Sequence, residues 1–582
     1  MRLALAVLVL LAAAPARAQW SPAPAPVRAT NGMVVSAERH ASEAGVAVMR
    51  RGGNAVDAAV ATGFALAVTF PVAGNVGGGG FLVLRFPDGR ATTLDYRETA
   101  PAAATRDMFL DSTGAFVPAR SQVGALAAGV PGAVAGFVEA HTRWGRLPLG
   151  DVLAPAIALA ERGFPLSDEG ARFLNAFRTP FAQFPTTAAA FVPSVPFAPG
   201  DTLRQPDLAA VLVRIRDAGR DGFYRGETAR LIAAQMQRSG GLITLDDLAA
   251  YRPVERAPVV GTYRGHRVIS MGPPSSGGIA LLQLLAAVEP YDVAALGVNS
   301  SATVHLMGEA MRRTYADRAE WLGDPDFVRV PTAGLTDSAY VAARMATFDP
   351  ARTTPSSSVS HGQPRHESDQ TTHYSVVDAQ GMAVSVTTTL NGPFGSGLVV
   401  GGAGFLLNNE MDDFAAAPGV PNQFGLVGTE ANAVAPGKRM LSSMTPTVVE
   451  APDGRLRLVV GSPGGGRIIT TVFEAILNVV DHGMTVSEAV AVPRVHHQWL
   501  PDVLFAERGA LARDVVGSLR DRGWTVVEED GYWSRADAVL VACDETAAAT
   551  DPSGLARTAT STAGCVLLGG ADPRGEDTAA GF

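Results

Sequence analysis

The stretch from Glu367 to Phe414, ESDQTTHYSVVDAQGMAVSVTTTLNGPFGSGLVVGGAGFLLNNEMDDF, constrains the fold of this chain more than any other. Tyr374 to Asp378 and Met382 to Leu390 are rich in Val, Thr and Tyr, residues that suit a pleated, half-buried surface. Ala379-Gln380-Gly381 between them suits a type I turn closed by a left-handed glycine, so the two runs read as a β-hairpin. The loop length sets a register. With Asp378 opposite Met382, Thr371 falls opposite Thr389, their Cβ atoms roughly 4.5–5.5 Å apart as in any cross-strand pair. Asn391 shares that face, because side chains two apart on a strand point the same way. A hydroxyl at the start of one strand then meets a second hydroxyl and a carboxamide. The other reading is a Thr-rich strand chosen for β-propensity alone, and the pattern by itself does not decide between them.

The chain opens with Arg2, an almost wholly apolar run from Leu3 to Ala14, and Ala16-Arg17-Ala18. These features predict a secretory signal peptide over residues 1–18, too short to span a membrane. The mature chain is expected to begin at Gln19. No cysteine follows the apolar run and no later run reaches spanning length, so an exported protein without a membrane anchor is expected, periplasmic in a Gram-negative source. A content of 47% apolar and 18% charged residues is ordinary globular composition, and a net charge of −9 offers no basic patch for nucleic acid. Lys438 is the only lysine. Schiff-base enzymes and Walker-type nucleotide sites need one, and Lys438 lies in no loop of the P-loop form, so no such cofactor is expected. The ten His are scattered, and His496-His497 lacks the i, i+4 spacing of a helical zinc pair; both read as structural, and no metal is expected. Cys543 and Cys565 either form one disulfide in an oxidising compartment or stay unpaired.

Along the mature chain, helical spacing runs from Ser36 to Arg50, and Asn54 caps a second helix, Ala55 to Val68. GNVGGGGF (Gly74 to Phe81) follows a helix and precedes a strand, Phe81 to Phe86, the reverse of the order a dinucleotide site requires. A second strand, Ala91 to Tyr96, leads to Arg97-Glu98. Helices are predicted over Ala127 to Gly145, Leu149 to Gly163, Gly222 to Met236 and Thr244 to Tyr251. Pro273 to Gly278 reads as a turn into a helix, Ile279 to Val288, whose serines are expected to cap it. Thr353 to Glu367, polar and rich in Ser and Pro, reads as a flexible linker. Leu456 to Val460, the glycine loop Gly461 to Gly466 and a helix, Ile468 to Val480, form strand, glycines and helix N-terminus, an anion site of backbone N–H groups.

DQTTHYSVV, VTTTLNGPFGSG, LLNNEMDDF, KRMLSSMTPT and GSPGGGRIITT closely resemble, in this order, the gamma-glutamyltranspeptidase (glutathione hydrolase) family of N-terminal-nucleophile hydrolases. LDYRETAP, PRVHHQWLPD and the terminal GGADPRGEDTAAGF extend the resemblance over nearly the whole mature chain. It implies a four-layer αββα sandwich with two antiparallel sheets face to face, an α+β fold. It also implies self-cleavage between Gln370 and Thr371 into a large chain (19–370) and a small chain (371–582) that stay associated. Thr371 is then the nucleophile, with its own α-amine as base, since a free α-amine has a pKa near roughly 7.7–8.0.

By the same resemblance Thr389 orients that hydroxyl, and Gly464 and Gly465 hold the oxyanion. Arg97, Ser442 and Ser443 bind the α-carboxylate of the substrate, Glu410 and Asp413 its α-ammonium, and Asn391 is a further substrate-binding residue. Without the resemblance, Arg97 reads as a partner of Glu98 or a surface acid. The implied substrates are glutathione and other γ-glutamyl compounds, with water, amino acids or dipeptides as acceptors. Pro418 to Val434 resembles the lid of bacterial members, with Phe424 where many have Tyr. Three rivals remain: an acylase for glutaryl groups, a non-catalytic exported protein, and a solute-binding module.

Overall fold

The structure is a computed structural model and describes residues 23–362, 372–417, 419–530, 533–543, 562 and 564–582. The expected signal peptide, Gln370 and Thr371, and most of the segment between the two cysteines lie outside the described residues. The strands of the two large sheets are β1 (Val27–Ala29), β2 (Gly32–Ser36), β3 (Gly79–Arg85), β4 (Ala91–Asp95), β5 (Val254–Arg256), β6 (Val259–Tyr263) and β7 (His266–Ser270) before the hairpin. The hairpin is β8 (Thr372–Asp378) and β9 (Ala383–Thr389), and β10 (Thr447–Glu450), β11 (Leu456–Gly461), β12 (Asp537–Ala542), β13 (Val566–Gly570) and β14 (Thr578–Gly581) follow. One sheet runs β14-β2-β8-β9-β3-β4-β5 and the other β1-β13-β12-β11-β10-β7-β6. The hairpin sits inside the first, between β2 and β3, and every pairing in both sheets is antiparallel.

Side-chain alternation produces the layers. Val35, Phe81, Val83 and Val377 face Ile269, Val448, Val459 and Val539 across the space between the sheets. Their neighbours Val34, Leu82, Leu84 and Val376 point the other way, onto helices that include Ala55–Thr69. Val449, Leu458 and Val460 pack outward on helices Gly277–Val288, Ser301–Trp321 and Arg467–Val480. The result is the expected helix, sheet, sheet, helix sandwich. Each sheet draws strands from both sides of residue 370, so neither expected chain has a core of its own.

Several expected boundaries move for local reasons. The first helix begins at Arg39, because Ser36 ends β2 and Glu38 is the cap, accepting from Ala41 N. Pro131-Gly132 delays the next expected helix to Ala133–Trp144, and the run from Gly222 is split at Arg225 into Asp221–Tyr224 and Gly226–Ser239. The described part of the expected linker is anchored. Thr354 N donates to the buried carboxylate of Glu309 at 2.9 Å, and Ser356 N to Asp502 at 2.7 Å. Cys543 and Cys565 form a disulfide.

Candidate active site

The hairpin has the register read from its loop length: Thr372 pairs with Thr388, and Asp378 N donates to Met382 O at 3.1 Å. Thr371 lies outside the described residues, one step beyond the last described pair. Thr389 is buried, and its Oγ1 accepts from Asn391 N at 2.7 Å. Its carbonyl accepts from the Asn75 amide at 2.7 Å, and Asn75 Oδ1 in turn accepts from Gly78 N at 3.0 Å. This explains the GNVGGGGF run: a Cβ on Gly78 would stand 1.9 Å from Thr389 O, so a side chain there would push the backbone off β9. Asn391 adopts φ +74° and donates to Asn409 O at 2.9 Å, while its buried Oδ1 has no hydrogen-bond partner among the described residues.

Arg97, two residues past β4, is fully buried. Its guanidinium donates to Glu410 Oε1, to Asp413 Oδ2 at 2.5 Å, and to the carbonyls of Met440 at 3.1 Å and Leu441 at 3.0 Å. The three expected clamp residues are thus one another's counterions. Glu98, the partner Arg97 would have without the resemblance, stands further off at 3.8 Å. Burial pushes the Glu98 carboxyl up to about 7, and Arg97 only partly offsets it. Burial raises Glu410 well above the usual carboxylate range in the same way, with Glu98 adding repulsion.

Ser442 and Ser443 are fully buried. Ser442 O accepts from Ser276 N at 2.7 Å and from Ser276 Oγ at 2.9 Å. The expected capping role therefore holds for only one serine of the turn: Ser275 Oγ accepts from Gly277 N at 3.0 Å, whereas Ser276 is spent on Ser442. Ser443 Oγ accepts from Arg318 at 2.8 Å, and one turn earlier on the same helix the Tyr315 hydroxyl donates to Gly466 O. Helix Ser301–Trp321 thus braces both the serine pair and the glycine loop. Its frequent charges suggest an exposed face, although nearly all of it is buried.

In the loop, Gly464 has φ +127° and Gly465 φ +65°. A Cβ on Gly464 would lie 1.8 Å from Ser534 Oγ. From the segment expected to be a lid, the Asn422 amide donates to Asp413 Oδ1 at 3.3 Å, and Phe424 packs on the outer core of the second sheet. His496 meets Thr470 and Gln498, and His497 meets Asp502. Lys438 Nζ donates to the carbonyls of Ala431 and Ala433, and burial lowers its pKa to about 8. Among the described residues no group of three His, Cys, Asp or Glu is placed to hold a metal.

Two antiparallel sheets between helical layers, with a threonine-rich central hairpin ending at a glycine loop, define an N-terminal-nucleophile hydrolase. The family model described as Gamma-glutamyltranspeptidase matches residues 41–580, and the chain belongs to that family. It is 49% identical over 530 residues to the glutathione hydrolase proenzyme of Escherichia coli strain K12, covering 90% of this chain and 91% of that protein. The solved structure of Helicobacter pylori gamma-glutamyltranspeptidase superposes with a TM-score of 0.56 at 46% identity, covering 56% of this chain and 94% of that one. The cephalosporin acylase of Bacillus halodurans superposes with a TM-score of 0.82 at 26% identity, covering 97% of this chain and 99% of that one.

Proposed function

We propose that this chain is a self-processing gamma-glutamyltransferase and glutathione hydrolase. It cuts itself between Gln370 and Thr371, and the freed Thr371 attacks the carbonyl of γ-glutamyl amides such as glutathione. The Thr371 α-amine takes the hydroxyl proton and delivers it to the leaving amine. Thr389 orients the hydroxyl, and the N–H groups of Gly464 and Gly465 receive the oxyanion, a task for which one lost donor costs on the order of 10²–10³ in rate. Water or an amino acid or dipeptide acceptor then releases the γ-glutamyl group. The large chain (19–370) and small chain (371–582) stay together as a heterodimer because each sheet takes strands from both. Export fits the Cys543–Cys565 disulfide, and no helix of the described residues is long and apolar enough to cross a membrane.

The observation that carries the reading is the buried set of Arg97, Glu410 and Asp413 beside the hairpin. A γ-glutamyl group brings one α-carboxylate and one α-ammonium. Arg97, with Ser442 and Ser443, takes the first, and Glu410 and Asp413 take the second. Each protein charge exchanges one partner for another, so none is left buried alone. A glutaryl substrate lacks the ammonium and would strand an acid at a cost of about 3–5 kcal/mol, which disfavours the acylase reading. Intact mass and N-terminal sequencing of wild type and Thr371→Ala test the assignment. Two chains, the second starting at Thr371, are expected from wild type and one uncut chain from the variant. A wild type that never splits overturns it.

A further inference from the structure

The hairpin borders a second charged hollow, on the side away from the clamp. A cavity of about 200 Å³ is bounded by Asn391 and Gly464, by the rings of Phe173 and Phe177, and by Asp537 and Asp577. Sheet order places it. In the first sheet β8 stands between β9, on whose side β4 leads to Arg97, and β2, beyond which Asp577 leads into β14. In the second sheet Ser442 and Ser443 precede β10, Gly464 follows β11, and Asp537 opens β12, the next strand across. Both sheets therefore run from clamp, through catalytic loop or strand, to the acids of the cavity. An amide also has two sides.

The cavity is built for a cation. Asp537 is 1% exposed, and its Oδ1 has no hydrogen-bond partner among the described residues. The Asp577 side chain is fully buried, with Oδ1 accepting from Arg535 at 3.3 Å and Oδ2 without a partner. Arg535 is also held by Glu169, at 2.9 Å to Oε2, so its guanidinium is shared by Asp577 and Glu169, and Glu169 takes a second partner in Arg172 at 3.3 Å. Asp572 nearby is paired with Arg494 and Arg574 but still repels both acids. Burial, with this repulsion added and Arg535 only partly offsetting it, pushes Asp537 well up and Asp577 up to about 7, a penalty that a docked cation would relieve.

We propose that this cavity is the amine subsite of the transfer reaction, receiving the ammonium of an acceptor amino acid or short peptide on Asp537 and Asp577 and its side chain against Phe173 and Phe177. The proposal rests on the reading that Thr371 carries a γ-glutamyl ester. Docked as RNH₃⁺, the acceptor gives one proton to Asp537 and presents RNH₂. The nitrogen attacks the ester carbonyl, and the C–N bond forms as the C–O bond to Thr371 breaks. The second proton leaving nitrogen passes through the Thr371 α-amine to its Oγ, and Asp537 returns its proton to solvent.

The test uses the mature enzyme, a γ-glutamyl anilide as donor, and glycine or L-phenylalanine as acceptor. The readout is the ratio of transfer to hydrolysis product, in which a general loss of acylation cancels. Asp537→Asn and Asp577→Asn are each expected to lower the ratio about tenfold, the effect of losing one charged hydrogen bond. Phe173→Ala, which leaves the acids in place, is expected to lower it more for phenylalanine than for glycine. Unchanged ratios in all three overturn the subsite, also where the variants only slow self-cleavage, which would assign the cavity to residues 363–370. A wild type that neither splits nor hydrolyses the donor overturns the underlying function as well.

Discussion

Arg97 and Arg535 are both buried arginines beside the same hairpin: the first has Glu98, Glu410 and Asp413 around it, and the second pairs with Glu169 and Asp577 on a cavity wall it shares with Asp537. Around Arg97 the set is closed on itself, with two acids and two carbonyls on the guanidinium. Around Arg535 it is open, with Asp537 and Asp577 on the wall of a cavity. Burying an unbalanced acid is costly, and the cost is relieved either by a proton, towards which burial pushes these carboxyls, or by the charge of a bound ligand. A closed cluster has to exchange partners and so selects a ligand bearing both charges. An open one has only to be filled and accepts any amine that fits.

The largest effect is expected on the closed side. Arg97→Gln removes the counterion of Glu410 and Asp413 together and should lower kcat/KM for a γ-glutamyl donor by about 10³. Steady-state kinetics on the mature enzyme check this, and a loss below about tenfold would break the idea of exchanged partners. Gly464→Ala acts at the centre shared by both sides, where the added Cβ meets Ser534 Oγ at 1.8 Å. Acylation should slow by about 10², measured in single turnovers, with the transfer-to-hydrolysis ratio unaltered because both deacylations use the same oxyanion site.

Glu474 supplies a surplus acid outside both clusters. Its Oε1 accepts from Val495 N at 3.1 Å, its Oε2 has no partner among the described residues, and burial pushes its carboxyl up to about 8. The folded state therefore binds a proton that the unfolded state releases near roughly 4.3, and the associated stability is present below that pH and lost as pH rises through about 8. Glu474→Gln should match wild type near pH 4 and exceed it by about 5 kcal/mol at pH 8.5 in urea denaturation. Equal stability at both pH values would mean that a surplus buried acid carries no such penalty here. The smallest effect is expected from Phe424→Tyr, which returns a hydroxyl to the lid. One neutral hydrogen bond on the closed side corresponds to a donor KM lower by roughly threefold. A change confined to acceptor kinetics would instead place the lid on the open side.

The legible parts of the site were those governed by short spacing. Three residues between two strands sufficed for the register that puts Thr372 opposite Thr388, and strand, glycines and helix marked the loop at Gly464. Ser276 was half read, because a serine before a helix is normally a cap and only the fold brings Ser442 to it. Arg318 and Tyr315 were invisible, since a charged helix looks solvated until its surroundings are known. The stretch after Thr353 looked like a linker because its polarity signals exposure, whereas Glu309 and Asp502 give its backbone partners inside the protein.

The sequence by itself determined the hairpin and its pairing, the glycine turns and the order of motifs that place the chain in its family. These follow from backbone geometry within a few residues. Only the tertiary structure decided which buried charges face one another. Arg97 meets an acid 316 positions away and Arg535 one 366 positions away, and such meetings are set by the strand order of two interleaved sheets. Burial and electrostatic pairing depend on what surrounds a group in space, and no local pattern encodes that.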